Sequence, residues 1–241
     1  MVPTQITTQD EFLSFFDSLA RQNSSLLMTK AYRGITLTKK IKTILVDKQR
    51  VVFQAFERDI CAALKGSVHL HSQLLIRPVK ARVKDQSVSK GSFSLFDFSY
   101  IKGDWNYRQY ERVQPKDPTY VILNYQNRAI RASLLDISIN GMGVLVGSSD
   151  DRELEFKPNT SIRSDLQNSP IFGWTKLGGA IHYQQTVADS IVRLGIRLYP
   201  KVQQSRQLEK YIDNRKAEIS DELDQAYLSA SIPAGVERQY F

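Results

Sequence analysis

The stretch "LLDISINGMG", Leu134 to Gly143, decides the reading of this chain. Leu135, Ile137 and Ile139 alternate with Asp136, Ser138 and Asn140, the two-residue period of a strand with one apolar face and one polar face. The spacing therefore predicts that Asp136 and Ser138 leave the same open face, with Cα atoms roughly 6.5 to 7 Å apart. Two glycines, Gly141 and Gly143, follow at once. A glycine there lets backbone approach a flat ring or adopt positive φ, which a side chain would forbid. An ionised Asp can accept the N1 and N2 hydrogens of guanine as a two-bond, charge-assisted pair, and a Ser hydroxyl can serve a neighbouring polar atom. Taken alone, the stretch reads as a solvated strand end before a tight turn, with Asp and Ser bonding their own backbone.

A second element lies upstream in "NYRQYERVQP", where Arg108 and Arg112 stand four apart. Each guanidinium can grip a phosphate or the O6/N7 edge of guanine bidentately. Pro115 and the β-rich surroundings favour an extended or looped segment, over which the pair can span up to ~13 Å. By itself such a pair is a solvated basic linker.

Together, R-x-x-x-R (Arg108, Arg112), then D-x-S-x-x-G (Asp136, Ser138, Gly141), then the ending "VRLGIRLYP", resemble a PilZ domain, the bacterial receptor module for cyclic di-GMP, over about residues 104 to 205. Leu198 stands where the family often has an aromatic. The resemblance implies a six-stranded antiparallel barrel that binds the dinucleotide on its outer surface. By the same analogy Arg108 and Arg112 take phosphates and guanine edges, Asp136 and Ser138 read guanine, and Gly141 permits close approach. Tyr107 either stacks on a base or packs on the barrel. The N-terminal half resembles, in architecture, the amino-terminal barrel of flagellar-brake-type PilZ proteins.

The rest of the chain is consistent with that organisation. "TQDEFLSFFDSL" carries a capping box, Thr8 and Glu11, and a phenylalanine-rich stripe that needs a docking surface. Short β runs from Ser24 to about Ile101, with a short helix at about Arg58 to Leu64, predict a first β domain over residues 1–103. Charges with Gly103, Pro115 and Pro118 mark the boundary, and five or six strands in about 90 residues predict a second small barrel over 104–205. "TYVILNY" and "RAIRASLLDIS", joined through Gln126–Asn127, read as a hairpin. Residues 206–241 read as an amphipathic helix and tail, docking in cis or forming a dimer. The fold class expected is mainly β: two small antiparallel barrels, an N-terminal helix and a C-terminal helix.

Of the 241 residues, 41% are hydrophobic and 24% charged, the composition of a globular protein. Residues 1–105 carry 16 Lys and Arg against 9 Asp and Glu, and most of the net charge of +8. A basic front half suits an anionic partner, although taken alone it is better explained by diffuse surface lysines kept for solubility. No apolar run is long enough for a membrane helix, the start lacks signal-peptide features, and the single cysteine, Cys61, cannot form an internal disulfide, so a reducing cytoplasm is expected. His69 and His71 have the parity of metal ligands but lack an evident third. No nucleophile-and-base set, P-loop or dinucleotide glycine fingerprint occurs. The expectation is thus a receptor without catalytic activity, cofactor or metal. Ligand clamping of the arginine linker would couple second-messenger level to the arrangement of the two domains and to binding of a protein partner, with outputs of motility, surface or biofilm type implied by the family. The alternative is a ligand-independent PilZ-like adaptor, and a nucleic-acid-binding barrel ranks below both.

Overall fold

The computed structural model describes residues 6, 8–101, 110–147, 155–169, 173–188 and 190–231. Arg108, Tyr107 and most of the acidic loop around Asp150 lie outside the described residues. The chain is mainly β and divides into two compact units, each built on a closed six-stranded antiparallel barrel, with one helix near the N-terminus and one near the C-terminus. That is the fold class the sequence predicts.

In the first unit, α1 (Gln9–Arg21) starts at a complete capping box. The Thr8 hydroxyl accepts from the Glu11 N–H, and the Glu11 carboxylate accepts from the Thr8 N–H. The barrel comprises β1 (Ser25–Tyr32), β2 (Ile35–Val46), β3 (Val51–Ala55), β4 (Ser67–His71), β5 (Val79–Ser87) and β6 (Ser92–Tyr100), in the order β1-β2-β3-β6-β5-β4. A 3₁₀ turn at Arg58–Ala63 follows β3. The phenylalanine stripe of α1 is the reason the helix docks: Phe16 is fully buried, its ring 5.5 Å from that of Phe53 and 4.9 Å from that of Phe98. Each such ring contributes roughly 1.5 to 3 kcal/mol through burial alone. Cys61 is buried in the same core, where desolvation, helped by the nearby Asp59 charge, pushes its thiol up to about 11.

In the second unit, β7 (Tyr120–Tyr125), β8 (Arg128–Ser138), β9 (Gly141–Gly147), β10 (Ser161–Ser169), β11 (Gly173–Ala188) and β12 (Ile191–Leu198) close in the order β10-β11-β12-β9-β8-β7. Gln126 and Asn127, at φ 47° and 62°, form the two-residue turn between β7 and β8, the backbone that a right-twisted hairpin requires. Val121 and Leu123, Met142, Val144 and Val146, and Leu194, Ile196 and Leu198 are buried at alternate positions. The final helix, α2 (Val202–Ser231), buries Leu208, Tyr211 and Ile212. Its residues up to Glu218 group with the second unit and those from Ile219 with the first, whose core includes Leu223.

Candidate functional site

The polar wall of the second barrel is built where β8, β9 and β12 run side by side. The alternation in "LLDISIN" does not continue unbroken along β8: the ladder pairs Leu134 with Val144 but Asp136 with Gly143, so Leu135 is an extra residue at a bulge. Leu134 and Ile137 are therefore the buried apolar positions, while Leu135 is half-buried. A bulge re-aims the residues beyond it, and here it sets Asp136 opposite Gly143 and Ser138 opposite Gly141.

The glycines act by leaving room. A Cβ at Gly143 would lie 3.0 and 3.1 Å from the two carboxylate oxygens of Asp136, so the carboxylate occupies the space over that glycine. A Cβ at Gly141 would lie 3.5 Å from Nη2 of Arg112 and 3.6 Å from Oγ of Ser138. Gly141 opens β9 without positive φ, so the second of its two expected uses does not apply. Directly opposed residues on antiparallel strands share a face. Asp136, Gly143, Gly195 and Tyr183 consequently form one row across β8, β9, β12 and β11, with the Tyr183 ring covering Gly195.

Arg112 reaches this wall from the segment before β7. Val113 forms an antiparallel bridge to Ile137, with N–H···O distances of 2.9 and 3.0 Å in the two directions, and this carries the preceding side chain over the end of β8. Nη1 of Arg112 donates to Oδ1 of Asp136 at 2.8 Å. From the other side, Nη2 of Arg193 lies 3.4 Å from Oδ2. The Asp136 side chain keeps only 12% of its exposure between the two guanidinium groups. The open polar face expected from alternation is therefore covered: Asp136 is enclosed by arginines, and Ser138, 1% exposed, donates its hydroxyl to the Gly141 carbonyl at 3.0 Å. For Ser138 this is the local side-chain-to-backbone bond of a turn residue.

Of the expected residues, Arg112, Asp136, Ser138 and Gly141 come together, and Arg108 and Tyr107 fall outside the described residues. Two further members were not anticipated, Gly143 and Arg193. The first stood in the quoted stretch, but its use depends on the strand register. The second sits 57 residues from Asp136, and the sequence signal for it is the shared parity of Arg193, Gly195 and Arg197 in "VRLGIRL". One carboxylate between two guanidinium groups leaves the cluster one positive charge in excess. Among the described residues no group of three or more His, Cys, Asp or Glu could hold a metal ion, and no helix is long and apolar enough to cross a membrane.

A scan against protein-family profiles finds no match, and neither does a search of curated proteins. Among solved structures, that of K. pneumonia MrkH in complex with c-di-GMP is 12% identical, with a TM-score of 0.45, covering 90% of this chain and 98% of that one. Escherichia coli YcgR in complex with c-di-GMP is 16% identical at a TM-score of 0.42, covering 90% of this chain and 95% of that one. The PilZ domain of Escherichia coli YcgR with c-di-GMP is 20% identical at a TM-score of 0.41, covering 49% of this chain and 98% of the domain. The solved structures that this chain resembles thus include a PilZ domain.

Proposed function

We propose that this protein is a PilZ-type receptor for cyclic di-GMP, without catalytic activity. The observation that carries the reading is the 2.8 Å pair between Arg112 and Asp136 over the glycine-lined wall. It brings the basic segment and the guanine-reading carboxylate of the two motifs to the same place on the outside of one barrel. Both oxygens of Asp136 are engaged by arginine, so binding proceeds by exchange. Arg112 turns from the carboxylate to a phosphate or to the O6/N7 edge of a guanine, and the freed oxygen accepts from the guanine N1 and N2 hydrogens. Gly141 keeps the wall low enough for a purine to lie against it, and Gly143 leaves room for the Asp136 carboxylate. Arg108 adds the second phosphate-binding cation, and Tyr107 a ring for stacking or for packing on the barrel.

Receptor action follows from the segment that bears the arginines. A ligand shifts an equilibrium only through its differential affinity for two states, so the exchange at Arg112 is the event that distinguishes them. The proposed output is a change in how the chain meets a protein partner, in the cytoplasm. Calorimetric titration with cyclic di-GMP tests the reading directly. Saturable binding is expected, weakened roughly ten- to a hundred-fold in Arg112→Ala, since a hydrogen bond to a charged group contributes about 1.5 to 3 kcal/mol. Absence of heat and of any thermal shift with ligand in excess would remove it.

A ligand-independent adaptor is the second reading, and the enclosed state of Asp136 favours it. There the Arg112–Asp136–Arg193 cluster would be a structural staple, and partner binding would be the same with or without nucleotide.

A further inference from the structure

We infer that Arg193 is a positioning residue of the ligand site: it retains Asp136 when Arg112 leaves for the ligand, and so sets the preference for guanine. The inference rests on the receptor reading above and goes beyond its motif residues. Three observations carry it.

The two arginines hold the same carboxylate unequally. Arg112 makes a short bond to Oδ1, whereas Arg193 sits at 3.4 Å from Oδ2 and its Nε is buried without a hydrogen-bond partner among the described residues. The fork of Arg193 is thus under-used, with one donor at the edge of bonding range and a second donor unsatisfied. A small shift of the carboxylate toward β12 would shorten the Nη2 contact, and an under-used charged donor favours such a shift.

The two arginines also differ in how firmly their backbones are held. Arg193 lies inside the closed barrel, paired with Leu145 on β9 and with Gln185 on β11. Arg112 stands outside the ladder, on the segment before β7. The backbone there meets the wall through the Val113–Ile137 bridge and the Leu134 N–H to the Thr119 carbonyl, and α2 bonds its Glu111 and Gln114. Its own strand pairing does not hold Arg112 as two neighbouring strands hold Arg193. When a dianionic ligand competes, Arg112 is the group that can follow it and Arg193 the group that stays.

Finally, the carboxylate is enclosed. If Arg112 left and nothing replaced it, Asp136 would be a poorly solvated anion, and its geometry toward a base would be undefined. With Arg193 behind it, Oδ2 stays fixed and Oδ1 is turned outward. Guanine presents donors at N1 and N2, which an anchored carboxylate accepts. Adenine presents an acceptor at N1, which the same carboxylate repels. Arg193 thereby contributes to discrimination without itself touching the base.

The test is calorimetric titration of the full chain with cyclic di-GMP and with cyclic di-AMP, on the wild type, Arg193→Ala and Arg193→Lys, with thermal melts of each. Arg193→Ala is expected to weaken cyclic di-GMP binding about ten-fold or more, the scale of one charge-assisted bond. It should also narrow the preference over cyclic di-AMP, a ratio that a merely structural residue would leave unchanged. Arg193→Lys, which keeps the charge and loses the fork, should recover part of the affinity and less of the preference. If Arg193→Ala does not fold, the lysine variant decides, and wild-type affinity and preference there overturn the inference. Wild-type or tighter binding by a folded Arg193→Ala overturns it too while leaving the receptor reading intact. A wild type that binds neither nucleotide sinks the receptor reading first and this inference with it.

Discussion

Arg215, on α2, donates from Nε to the backbone carbonyl of Gln114 at 2.9 Å, and its side chain is 1% exposed. Its Nη1 is bound by Glu218 one turn on, and the neighbouring Lys216 pairs with Glu111. The segment that carries Arg112 is therefore flanked on both sides by bonds from one helix.

Replacing Arg215 by Met removes the donor to Gln114 and keeps most of the apolar stem. A loss of about 1 to 3 kcal/mol is expected, the cost of leaving a hydrogen-bond partner unmet. For a chain of this size that lowers the melting temperature by roughly 2 to 4 °C per kcal/mol. Arg215→Lys should not restore it, because an ammonium cannot serve the carbonyl and Glu218 in the planar fork geometry. Thermal unfolding of the three proteins checks this.

Gly143→Ala would put a methyl 3.0 to 3.2 Å from three atoms of the Asp136 carboxyl group. The carboxylate must move off the wall, away from the position in which it meets both arginines. Folding should be lowered by no more than about 1 to 3 kcal/mol, the usual cost of overpacking. Affinity for cyclic di-GMP should fall roughly ten-fold or more. Titration beside a melting curve separates the two effects; unchanged affinity would show that Asp136 does not read the ligand.

A double-mutant cycle on Arg112→Ala and Asp136→Ala measures the pair in the free protein. Residues in direct contact couple by about 0.5 to 3 kcal/mol. Asp136→Ala should be the costlier single change, since it leaves Arg112 and Arg193 facing each other without their shared anion. Urea unfolding of the four proteins provides the coupling, and independence of the two changes would contradict the bond.

Acid should weaken the first barrel. Burial lowers the His69 imidazole below its ordinary value of 6.5, helped by the positive charges of His71, Lys80 and Lys30, and burial lowers His71 as well. Well above 6.5 both histidines are neutral in folded and unfolded chain alike and contribute nothing to pH dependence. Below it the unfolded chain takes up protons that the folded chain resists, so stability is lost as pH falls. Melting temperatures at pH 7.5 and pH 5 should differ more in the wild type than in a His69→Gln, His71→Gln variant.

Much of this was legible in the sequence, for reasons tied to particular residues. The capping box at Thr8 and the stripe of Phe12 and Phe16 are local, and α1 forms where they predict. The turn at Gln126–Asn127 is equally local, since Asn127 tolerates the positive φ it needs better than most residues. Asp136, Ser138 and Gly141 could be set on one strand pair because their spacing is short. What escaped is what depends on register and closure. The extra residue at Leu135 changes the phase of β8 without altering its alternation in sequence. Arg193 meets Asp136 only because β12 closes against β9. Asp136 looked open because alternation reports which face a side chain leaves by, not which other side chains arrive to cover it.

Both barrels close on themselves, so within each of them every strand has a hydrogen-bonded neighbour on either flank. A polypeptide cannot join such a wall by lending it another strand, the route by which many sheet proteins capture extended peptides or aggregate. A protein that met either barrel wall would be recognised there through side-chain relief and charge, and substitutions that abolish such an encounter should be sought on outward-facing side chains of the strands, with the ladder itself left intact.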